Sequence, residues 1–288
     1  MRHPCPRWQA SKRLQYGAHL PLIAFDGVHR SLAGLQAYAR SATELGYRFL
    51  CANDHLFFSR PWLDGPTALA ATIDSSGDMT LATSVCLPVI RGPAQTAKVL
   101  DAIDHLSGGR LVAGVGPGSS ARDYEAVGIP FDDRWRRFDD AIPVLRSHVT
   151  VPIWIASWGS GAGLRRVARL GDGWLASGYN TTPSRFRDAR AALPDGLPNA
   201  IATMWLYVTE SAREAERIVD DVLVSLLGRP AEAIRDLSLP VGSAEDCAER
   251  IRAFADAGAE RVFVWPIGDD LRQIELFAER VVPLAAAP

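Results

Sequence analysis

Short apolar runs rich in β-branched residues alternate along the chain with longer stretches of helical periodicity. Eight such runs predict eight strands, near residues 16–21, 48–52, 79–86, 110–115, 151–156, 173–177, 200–208 and 261–265. Strands that alternate with helices build a parallel sheet, and eight strand–helix units in 288 residues favour closure into a barrel. We therefore predict an α/β protein with a (β/α)8 TIM barrel fold, with an open doubly wound sheet as the alternative.

The barrel is predicted to form a single domain over residues 15–288, because no Pro/Gly/Ser-rich linker divides the chain. Residues 1–14 are predicted to form a loose N-terminal tail. This basic tail and the apolar stretch 20–25 follow the order of a signal peptide, but Pro21 and Asp26 and the shortness of the stretch argue against one. We expect a cytoplasmic protein.

Four helices are predicted. Three of them carry recognisable start signals, at Ser31, Pro93 and Ser243, and the fourth begins at Asp269. Serine is a favoured N-cap residue, and proline is favoured in the first turn of a helix. Ser243 and Asp246 have the spacing of a capping box. The first of these helices is predicted to bury one face, made of Leu32, Leu35, Tyr38, Ala39, Ala42 and Leu45.

Composition excludes several classes of partner. The formal net charge is −2, with 48% hydrophobic and 22% charged residues, as in an ordinary soluble globular protein. This balance leaves no electrostatic footprint for nucleic acid or a membrane surface. No apolar run approaches the roughly 18 residues that span a bilayer. The four cysteines, at positions 5, 51, 86 and 247, lack metal-site or disulfide spacing and are expected to be reduced.

Several catalytic classes lack their residues. No HxH or HExxH motif is present, and we predict no metal site. A Schiff-base barrel aldolase needs a buried lysine at a strand end, whereas Lys12 lies in the predicted tail and Lys98 within a predicted helix. The Gly-x-Ser-x-Gly motif of many hydrolases is also absent.

Two glycine-rich segments follow predicted strands, at the end of a (β/α)8 barrel that carries its chemistry. In Gly114-Val-Gly116-Pro-Gly118, Ser119 stands where a dinucleotide-binding turn has its third glycine, and Pro117 lacks an N–H. A tight turn that lets a planar ligand approach the backbone is the better interpretation.

The second segment, Ser157-Trp-Gly-Ser-Gly-Ala-Gly163, opens a predicted helix. Backbone N–H groups at a helix N-terminus attract anions, so the segment is a candidate phosphate site. A plain flexible loop is the equally supported alternative. Trp158 could stack on a ligand or pack against the protein.

Asp54 and His55 follow the second predicted strand and place a histidine beside a carboxylate at a strand end. Neighbouring side chains of an extended segment point to opposite faces, so these two are not expected to pair with each other. One of them is expected to face the barrel mouth. The alternative is a histidine packed among Leu56, Phe57 and Phe58.

Seven segments stand in a telling order and spacing: Asn53-Asp-His55; Leu81-Ala-Thr-Ser-Val85 followed by Arg91-Gly-Pro93; Leu100-Asp-Ala-Ile-Asp-His-Leu-Ser-Gly-Gly-Arg110; Gly114-Val-Gly116-Pro-Gly118; Tyr124-Glu-Ala-Val-Gly128 with Phe131, Arg134 and Arg137; Pro152-Ile-Trp-Ile-Ala156; and Gly171-Asp-Gly-Trp174. Together they resemble the bacterial luciferase-like, flavin-dependent oxidoreductases, over about residues 15–283.

The resemblance implies a (β/α)8 barrel that binds FMN or the deazaflavin coenzyme F420 at its mouth. It also implies a cis peptide bond between Ser84 and Val85, behind the coenzyme ring, and a phosphate held by the backbone of residues 158–160. The candidate coenzyme-binding residues are therefore Asp54, His55, Ser84, Val85, Gly116, Gly118, Ser119, Arg134, Trp158, Gly159 and Ser160.

In the resembled family, a histidine at the position of His55 often acts near the flavin as acid or base. An imidazole exchanges protons near neutral pH, so His55 is the candidate catalytic residue. Arg134 is a further phosphate candidate, with a surface ion pair to Asp132 or Asp139 as the alternative. The expected partners are the coenzyme, a small organic substrate and a second copy of the chain, because homodimers are common in the family.

Two features depart from the family. Some deazaflavin-dependent members carry a Glu where this chain has Ser119, and the segment between Arg146 and Val151 is short, which would leave the mouth more open. Two alternatives to a luciferase-like monooxygenase or hydride transferase therefore stay open: a non-catalytic flavin-binding barrel, and a non-redox phosphate-binding barrel enzyme. Aromatic residues near strand ends could line a substrate pocket or only pack; they are Phe57, Phe58, Trp62, Trp158 and Trp265.

Overall fold

The computed structural model describes residues 13–287. The predicted tail, residues 1–14, lies outside this range except for its last two residues. The described chain falls into two compact units. One consists of residues 18–156, and the other of residues 157–287 together with 13–17.

All eight predicted strands are present, with boundaries that differ from the prediction by at most two residues. A ninth strand of two residues was not predicted, because it is too short to show a periodic pattern. The strands are β1 Gln15–His19, β2 Phe49–Ala52, β3 Thr80–Cys86, β4 Leu111–Val115, β5 Ile153–Ala156, β6 Gly173–Ser177, β7 Asn199–Val208, β8 Val241–Gly242 and β9 Arg261–Pro266.

The four predicted helices are present at the predicted places. Ser31 caps its helix by accepting a hydrogen bond from the N–H of Gly34 at 3.2 Å, and Ser243 forms the predicted capping box with Asp246. The α-helices are α1 Leu32–Glu44, α2 Gly65–Ala71, α3 Pro88–Arg91, α4 Pro93–Leu106, α5 Ala121–Ala126, α6 Arg134–His148, α7 Gly161–Leu170, α8 Pro183–Ala191, α9 Ala212–Arg217, α10 Val224–Leu227, α11 Ala231–Arg235, α12 Ala244–Asp256, α13 Asp270–Leu276 and α14 Val282–Ala286.

Shorter helical turns complete the chain. Asp74–Ser76 and Phe131–Asp133 are 3₁₀ turns, and Ile218–Leu223 and Phe277–Val281 are π-helical.

In the unit of residues 18–156, β2, β3, β4 and β5 pair side by side in chain order, and every pair is parallel. Helices connect each strand to the next, because neighbouring parallel strands need a crossover connection. The ends of these parallel strands therefore lie along one edge. The predicted residues 53–55 and 116–119 follow β2 and β4 there, and residues 84–85 lie in the last part of β3.

In the other unit, β7 pairs in parallel with both β6 and β9. The short strand β8 pairs in parallel with the last residues of β7, where Val241 lies opposite Tyr207. The pairing register between β7 and β9 breaks between Ile201 and Met204, where Thr203 has a φ of 56°. Such a bulge turns a strand locally and changes where its side chains point.

Strands and helices both contribute to the core, and the strand residues Trp154, Trp174 and Trp265 are among the largest fully buried groups. One prediction for α1 was wrong. Leu32 is 56% exposed, whereas Leu35 and Tyr38 are buried as predicted. Leu32 is the first residue of its helix, and the packed face begins one turn later.

Candidate active site at the strand ends

Asn53 connects the ends of β2 and β3. Its side-chain Oδ1 accepts a hydrogen bond from the N–H of Asp54 at 2.6 Å and another from the N–H of Val85 at 3.2 Å. The peptide bond between Ser84 and Val85 is cis, as the resemblance implies. The segment that carries His55 is therefore joined directly to the cis peptide.

Asp54 binds Arg91 rather than His55, in agreement with the prediction that the two neighbours do not pair. Its carboxylate oxygens lie 2.6 Å from Nε and 2.6 Å from Nη2 of Arg91, and Oδ2 also accepts the N–H of Leu87 at 3.3 Å. Arg91 reaches Asp64 as well. These hydrogen bonds and charges raise the pKa of the Arg91 guanidinium. Asp54 thus anchors the segment after β3.

His55 forms a hydrogen bond through Nδ1 to Oδ2 of Asp123, at 2.8 Å. The other carboxylate oxygen of Asp123 accepts the N–H of Phe57 at 3.0 Å. Burial would raise the pKa of Asp123, but the hydrogen bonds from His55 and Phe57 outweigh it and the pKa is lowered. An ionised carboxylate therefore holds the segment 55–57 through hydrogen bonds to the ring of His55 and to the N–H of Phe57.

Aromatic rings surround His55. Its ring centroid lies 5.2 Å from that of Phe58 and 4.9 Å from that of Trp62, and these two rings lie 4.8 Å apart. Phe57 points to the surface and is 50% exposed. Trp265, in contrast, is buried and stacks on another tryptophan of the core, so it serves packing.

The hydroxyl of Ser84 is buried at the cis peptide. Ser84 is 3% exposed, and within the described chain its Oγ has no hydrogen-bond partner. The preceding Thr83 satisfies its own hydroxyl by donating to the carbonyl of Gly114 at 2.7 Å. Because buried polar groups are nearly always hydrogen-bonded, the unpaired Ser84 hydroxyl points to a ligand.

The first glycine-rich turn lies against Val85, the second residue of the cis peptide bond. A Cβ on Gly116 would sit 3.2 Å from Cγ2 of Val85 and 3.3 Å from Cβ of Ala156, which is tighter than ordinary contact. Gly118 has a φ of 83°, a conformation that favours glycine. Ser119 is exposed beyond the turn. The turn packs closely against Val85 and Ala156, and the approach of a planar ligand to it stays a prediction.

Arg134 begins α6 and engages the turn before it. Its Nη1 donates to the carbonyl of Phe131 at 2.8 Å, and the guanidinium lies 3.8 Å from the centre of the Phe131 ring. Nη1 is 3.9 Å from a carboxylate oxygen of Asp132. These contacts match the surface alternative for Arg134, and its role toward a phosphate stays a prediction.

In the other unit, the second glycine-rich segment is a structured loop that opens α7. The hydroxyl of Ser157 accepts the N–H of Gly159 at 3.2 Å, and the carbonyl of Ser157 accepts the indole N–H of Trp174 at 3.1 Å. Ser160 is the N-cap of α7 and accepts the N–H of Gly163 at 3.2 Å. The plain flexible loop is therefore the less suitable interpretation.

A cavity of about 430 Å³ opens beside this loop. Its wall includes Trp158, Gly159, Ser160, Asn180, Arg185 and Asp188. Gly159 has a φ of 92°, and Trp158 is 55% exposed. The first N–H groups of a helix have no acceptor within the helix, so they can serve a bound anion.

Sequence reasoning missed three partners in these segments. Asp123 and Arg91 were not recognised as the partners of His55 and Asp54, because each lies in a separate segment of the chain. Arg229 was also missed; it donates to the carbonyl of Tyr179 at 2.5 Å and to the side chain of Asn180 in the cavity wall. The only available signal was the excess of arginine, which does not distinguish one arginine from another.

Two general features bear on the chemistry. Among residues 13–287, no group of three or more His, Cys, Asp or Glu side chains is arranged to hold a metal ion. In that same range, no helix is both long and apolar enough to cross a membrane. The thiols of Cys51, Cys86 and Cys247 are free and buried, and burial raises the pKa of each.

Comparison with known proteins identifies the family. Residues 11–150 match the family described as luciferase-like monooxygenase, so this segment carries a domain of that family. The resemblance predicted from the sequence is thereby confirmed. The family match and the similar proteins described below support one class of protein: an oxidoreductase of the luciferase-like kind that works with a flavin-type coenzyme.

The chain is similar over most of its length to particular members of this class. It is 24% identical to the 5,10-methylenetetrahydromethanopterin reductase of Archaeoglobus fulgidus, over 86% of this chain and 95% of the relative. A solved F420-dependent secondary alcohol dehydrogenase, in complex with an F420-acetone adduct, matches 96% of this chain and 100% of its own with a TM-score of 0.79 and 16% identity.

A second solved structure uses a different coenzyme. The oxygenating constituent of 3,6-diketocamphane monooxygenase from Pseudomonas putida, a type II Baeyer-Villiger monooxygenase in complex with FMN, matches 96% of this chain and 99% of its own, with a TM-score of 0.67 and 15% identity. These likenesses show the fold, which is the predicted (β/α)8 barrel. The family match favours the oxidoreductase over both alternatives, the non-catalytic binder and the non-redox enzyme.

Proposed function

We propose that this protein oxidises or reduces a small organic substrate with a flavin-type coenzyme, and that His55 moves a proton of that substrate. One observation carries the proposal. The ends of β2 and β3 carry a buried hydroxyl without a partner, that of Ser84, and a histidine anchored on a carboxylate, His55. These two strand ends therefore provide a hydrogen-bonding group and a proton carrier.

Residues in the last part of β3 and after β4 fit the ring of such a coenzyme. The hydroxyl of Ser84 supplies the hydrogen bond that a polar ring edge requires. Gly116 packs directly against Val85 and Ala156, where a Cβ would be crowded, so a glycine at this position helps to fix the turn beside the proposed ring site. Gly118 and Ser119 follow Gly116 in the same turn, and we include both among the residues that contact the coenzyme.

Asp54 has a supporting role in the proposed coenzyme site. Both of its carboxylate oxygens are occupied by Arg91, and one of them also by the N–H of Leu87. We infer that Asp54 supports the coenzyme by holding the segment after β3, in addition to any contact of its own.

The loop before α7 fits a phosphate. Gly159 and Ser160 precede the free N–H groups of the first helical turn, and Arg185 adds a positive charge to the same cavity. The left-handed conformation of Gly159 keeps the loop backbone close to the cavity. Trp158 would cover the phosphate or the adjoining chain of the coenzyme.

When bound, a coenzyme of this type accepts or delivers a hydride, and reduced FMN can also activate oxygen. His55 holds or releases the proton that accompanies this change on the substrate, and Asp123 keeps its ring in place. Phe58 and Trp62 exclude water from two sides of the ring. Hydride transfer is the first candidate because the relative that covers most of this chain is a reductase.

Monooxygenation with FMN is the second candidate, because the matched family is described as a monooxygenase family and one solved likeness binds FMN. Titration separates the two candidates. We expect the purified protein to quench the fluorescence of either F420 or FMN with saturable binding, and to prefer one of them. Binding of neither by the folded protein would overturn the proposal.

Three further parts of the proposal concern the setting of the protein. The free thiols of Cys51, Cys86 and Cys247 suit a reducing compartment, which supports a cytoplasmic location. A homodimer is part of the proposal because homodimers are common in the resembled family; light scattering on the purified protein tests it. A net charge of −2 supports a protein without a nucleic-acid partner.

A further inference from the structure

Two helices begin with the same local pattern and use it differently. In α5 and α12, a serine N-cap accepts a hydrogen bond from the N–H of an aspartate three residues later; the pairs are Ser120 with Asp123 and Ser243 with Asp246. Asp246 returns its carboxylate to the N–H of Ser243 and closes a capping box. The carboxylate of Asp123 instead reaches another segment of the chain, 68 residues away in sequence.

The geometry around Asp123 decides which ring nitrogen of His55 carries a proton. The side chain of Asp123 is 2% exposed, and its Oδ2 lies 2.8 Å from Nδ1 of His55. An ionised carboxylate can only accept hydrogen bonds, so the hydrogen between the two atoms belongs to Nδ1. A neutral imidazole with its proton on Nδ1 has its lone pair on Nε2.

We propose that Asp123 is a positioning residue: its carboxylate keeps a proton on Nδ1 of His55, and so presents Nε2 as the nitrogen that accepts a proton from the substrate. This inference rests on the proposed function, since it concerns the histidine to which we assign proton transfer.

Three further contacts restrict the ring. Oδ1 of Asp123 accepts the N–H of Phe57 at 3.0 Å, which fixes the backbone just after His55. Phe58 and Trp62 lie against the ring at centroid distances of 5.2 and 4.9 Å. The carboxylate therefore sets both the position of the ring and its tautomer, whereas the aromatic residues set only its position.

The variant Asp123→Asn separates these two effects, because an amide has nearly the shape of a carboxylate. Its carbonyl oxygen can still accept the N–H of Phe57. Its NH2 group then faces Nδ1 of His55 and donates to it, which moves the ring proton to Nε2. Asp246→Asn is the matched control, since it makes the same change at the same helix position, where the carboxylate bonds to the N–H of Ser243 in its own cap.

The first readout needs neither coenzyme nor substrate. Nitrogen-15 NMR of the imidazole rings distinguishes a protonated ring nitrogen from a bare one, and His55→Gln identifies the signals of His55. We expect a protonated Nδ1 in the native protein and in Asp246→Asn, and a protonated Nε2 in Asp123→Asn. The same tautomer in the native protein and in Asp123→Asn would overturn the proposal.

The second readout is turnover with the coenzyme that binds. We expect Asp123→Asn to lower kcat by about 100- to 10,000-fold, the range for loss of a correctly protonated acid–base group, with coenzyme affinity unchanged. Asp246→Asn should keep native kcat. Native kcat in Asp123→Asn, with His55→Gln inactive, would overturn the proposal. Native kcat in His55→Gln would instead remove the proposed function of His55, and the NMR result would still decide whether Asp123 sets its tautomer.

Discussion

Asp54 and Arg91 form a two-pronged ion pair, with Nε–Oδ2 and Nη2–Oδ1 distances of 2.6 Å. The carboxylate is 2% exposed and the guanidinium 19% exposed, so water screens the pair weakly. Because Asp54 follows β2 and Arg91 ends α3, the pair joins the two segments that flank the cis peptide between Ser84 and Val85.

Removal of this carboxylate charge should destabilise the protein. We expect Asp54→Asn to lower the free energy of unfolding by about 3 kcal/mol, because a buried cation would lose its better partner and keep only Asp64. Urea denaturation at pH 7 measures the change. Asp26→Asn breaks an exposed Asp–Arg pair of 2.9 Å and serves as the control. Surface pairs contribute less than about 1 kcal/mol, so equal effects of the two variants would contradict the argument.

His55 should matter for turnover and much less for coenzyme binding. We expect His55→Gln to lower kcat by about 100-fold or more, as removal of an acid–base group does, with nearly native coenzyme affinity. Steady-state kinetics and fluorescence titration give the two quantities. His105→Gln, a change of an exposed histidine in α4, should leave both unchanged. An unaltered kcat in His55→Gln would remove His55 from the mechanism.

Ser84 and Thr83 are adjacent buried hydroxyls with opposite expected behaviour. Ser84→Ala removes a hydroxyl without a protein partner, so stability should stay the same or rise, while coenzyme affinity should fall by about tenfold through one lost hydrogen bond. Thr83→Val removes the bond to the carbonyl of Gly114 and should lower stability by about 1–2 kcal/mol with native affinity. Loss of stability without loss of affinity in Ser84→Ala would show that its partner lies within the protein.

The phosphate assignment can be tested with two glycines that share a backbone conformation. Gly159 has a φ of 92° and Gly196 a φ of 72°. Alanine at either position should cost about 1–2 kcal/mol of stability, because a Cβ is disfavoured in this region. Only Gly159→Ala should also weaken coenzyme binding, since its Cβ adds bulk to the loop that lines the cavity. Native affinity in Gly159→Ala would contradict a phosphate at this loop.

His19 should make stability depend on pH. Complete burial lowers the pKa of its imidazole from 6.5 to about 3. The unfolded chain therefore binds the proton more readily, and the stabilisation from neutral His19 is full above pH 6.5 and is lost as the pH falls toward 3. Between pH 7 and pH 5 we expect a loss of about 2 kcal/mol. His19→Gln should remove this loss in urea denaturation, and the surface variant His148→Gln should retain it.

The positions of the secondary-structure elements could be predicted because their causes are local. Alternation with a period of two or 3.6 residues identified the eight long strands and the principal helices. Ser31 and Ser243 marked helix starts because an N-cap bonds to an N–H only a few residues away. β8 escaped prediction for the same reason, since two residues cannot display a period.

The resemblance to a family supplied what local patterns do not contain. No periodicity or propensity indicates that the bond between Ser84 and Val85 is cis, and its location was implied by the family alone. The loop at Gly159 and Ser160 was predicted to bind a phosphate on two grounds, the small residues before a helix and the resemblance to the family. The contacts of these residues with a coenzyme remain predictions.

The sequence by itself determined which residue types stand at the strand ends, because period, caps and turns depend on neighbours in the chain. Tertiary structure decided which charges meet. Asp54 pairs with an arginine 37 residues away, and His55 pairs with an aspartate 68 residues away. Asp54 and His55, although adjacent in the chain, do not pair with each other. These choices depend on how loops from parallel strands converge, and on the cost of burying a charge without a partner, which no local pattern encodes.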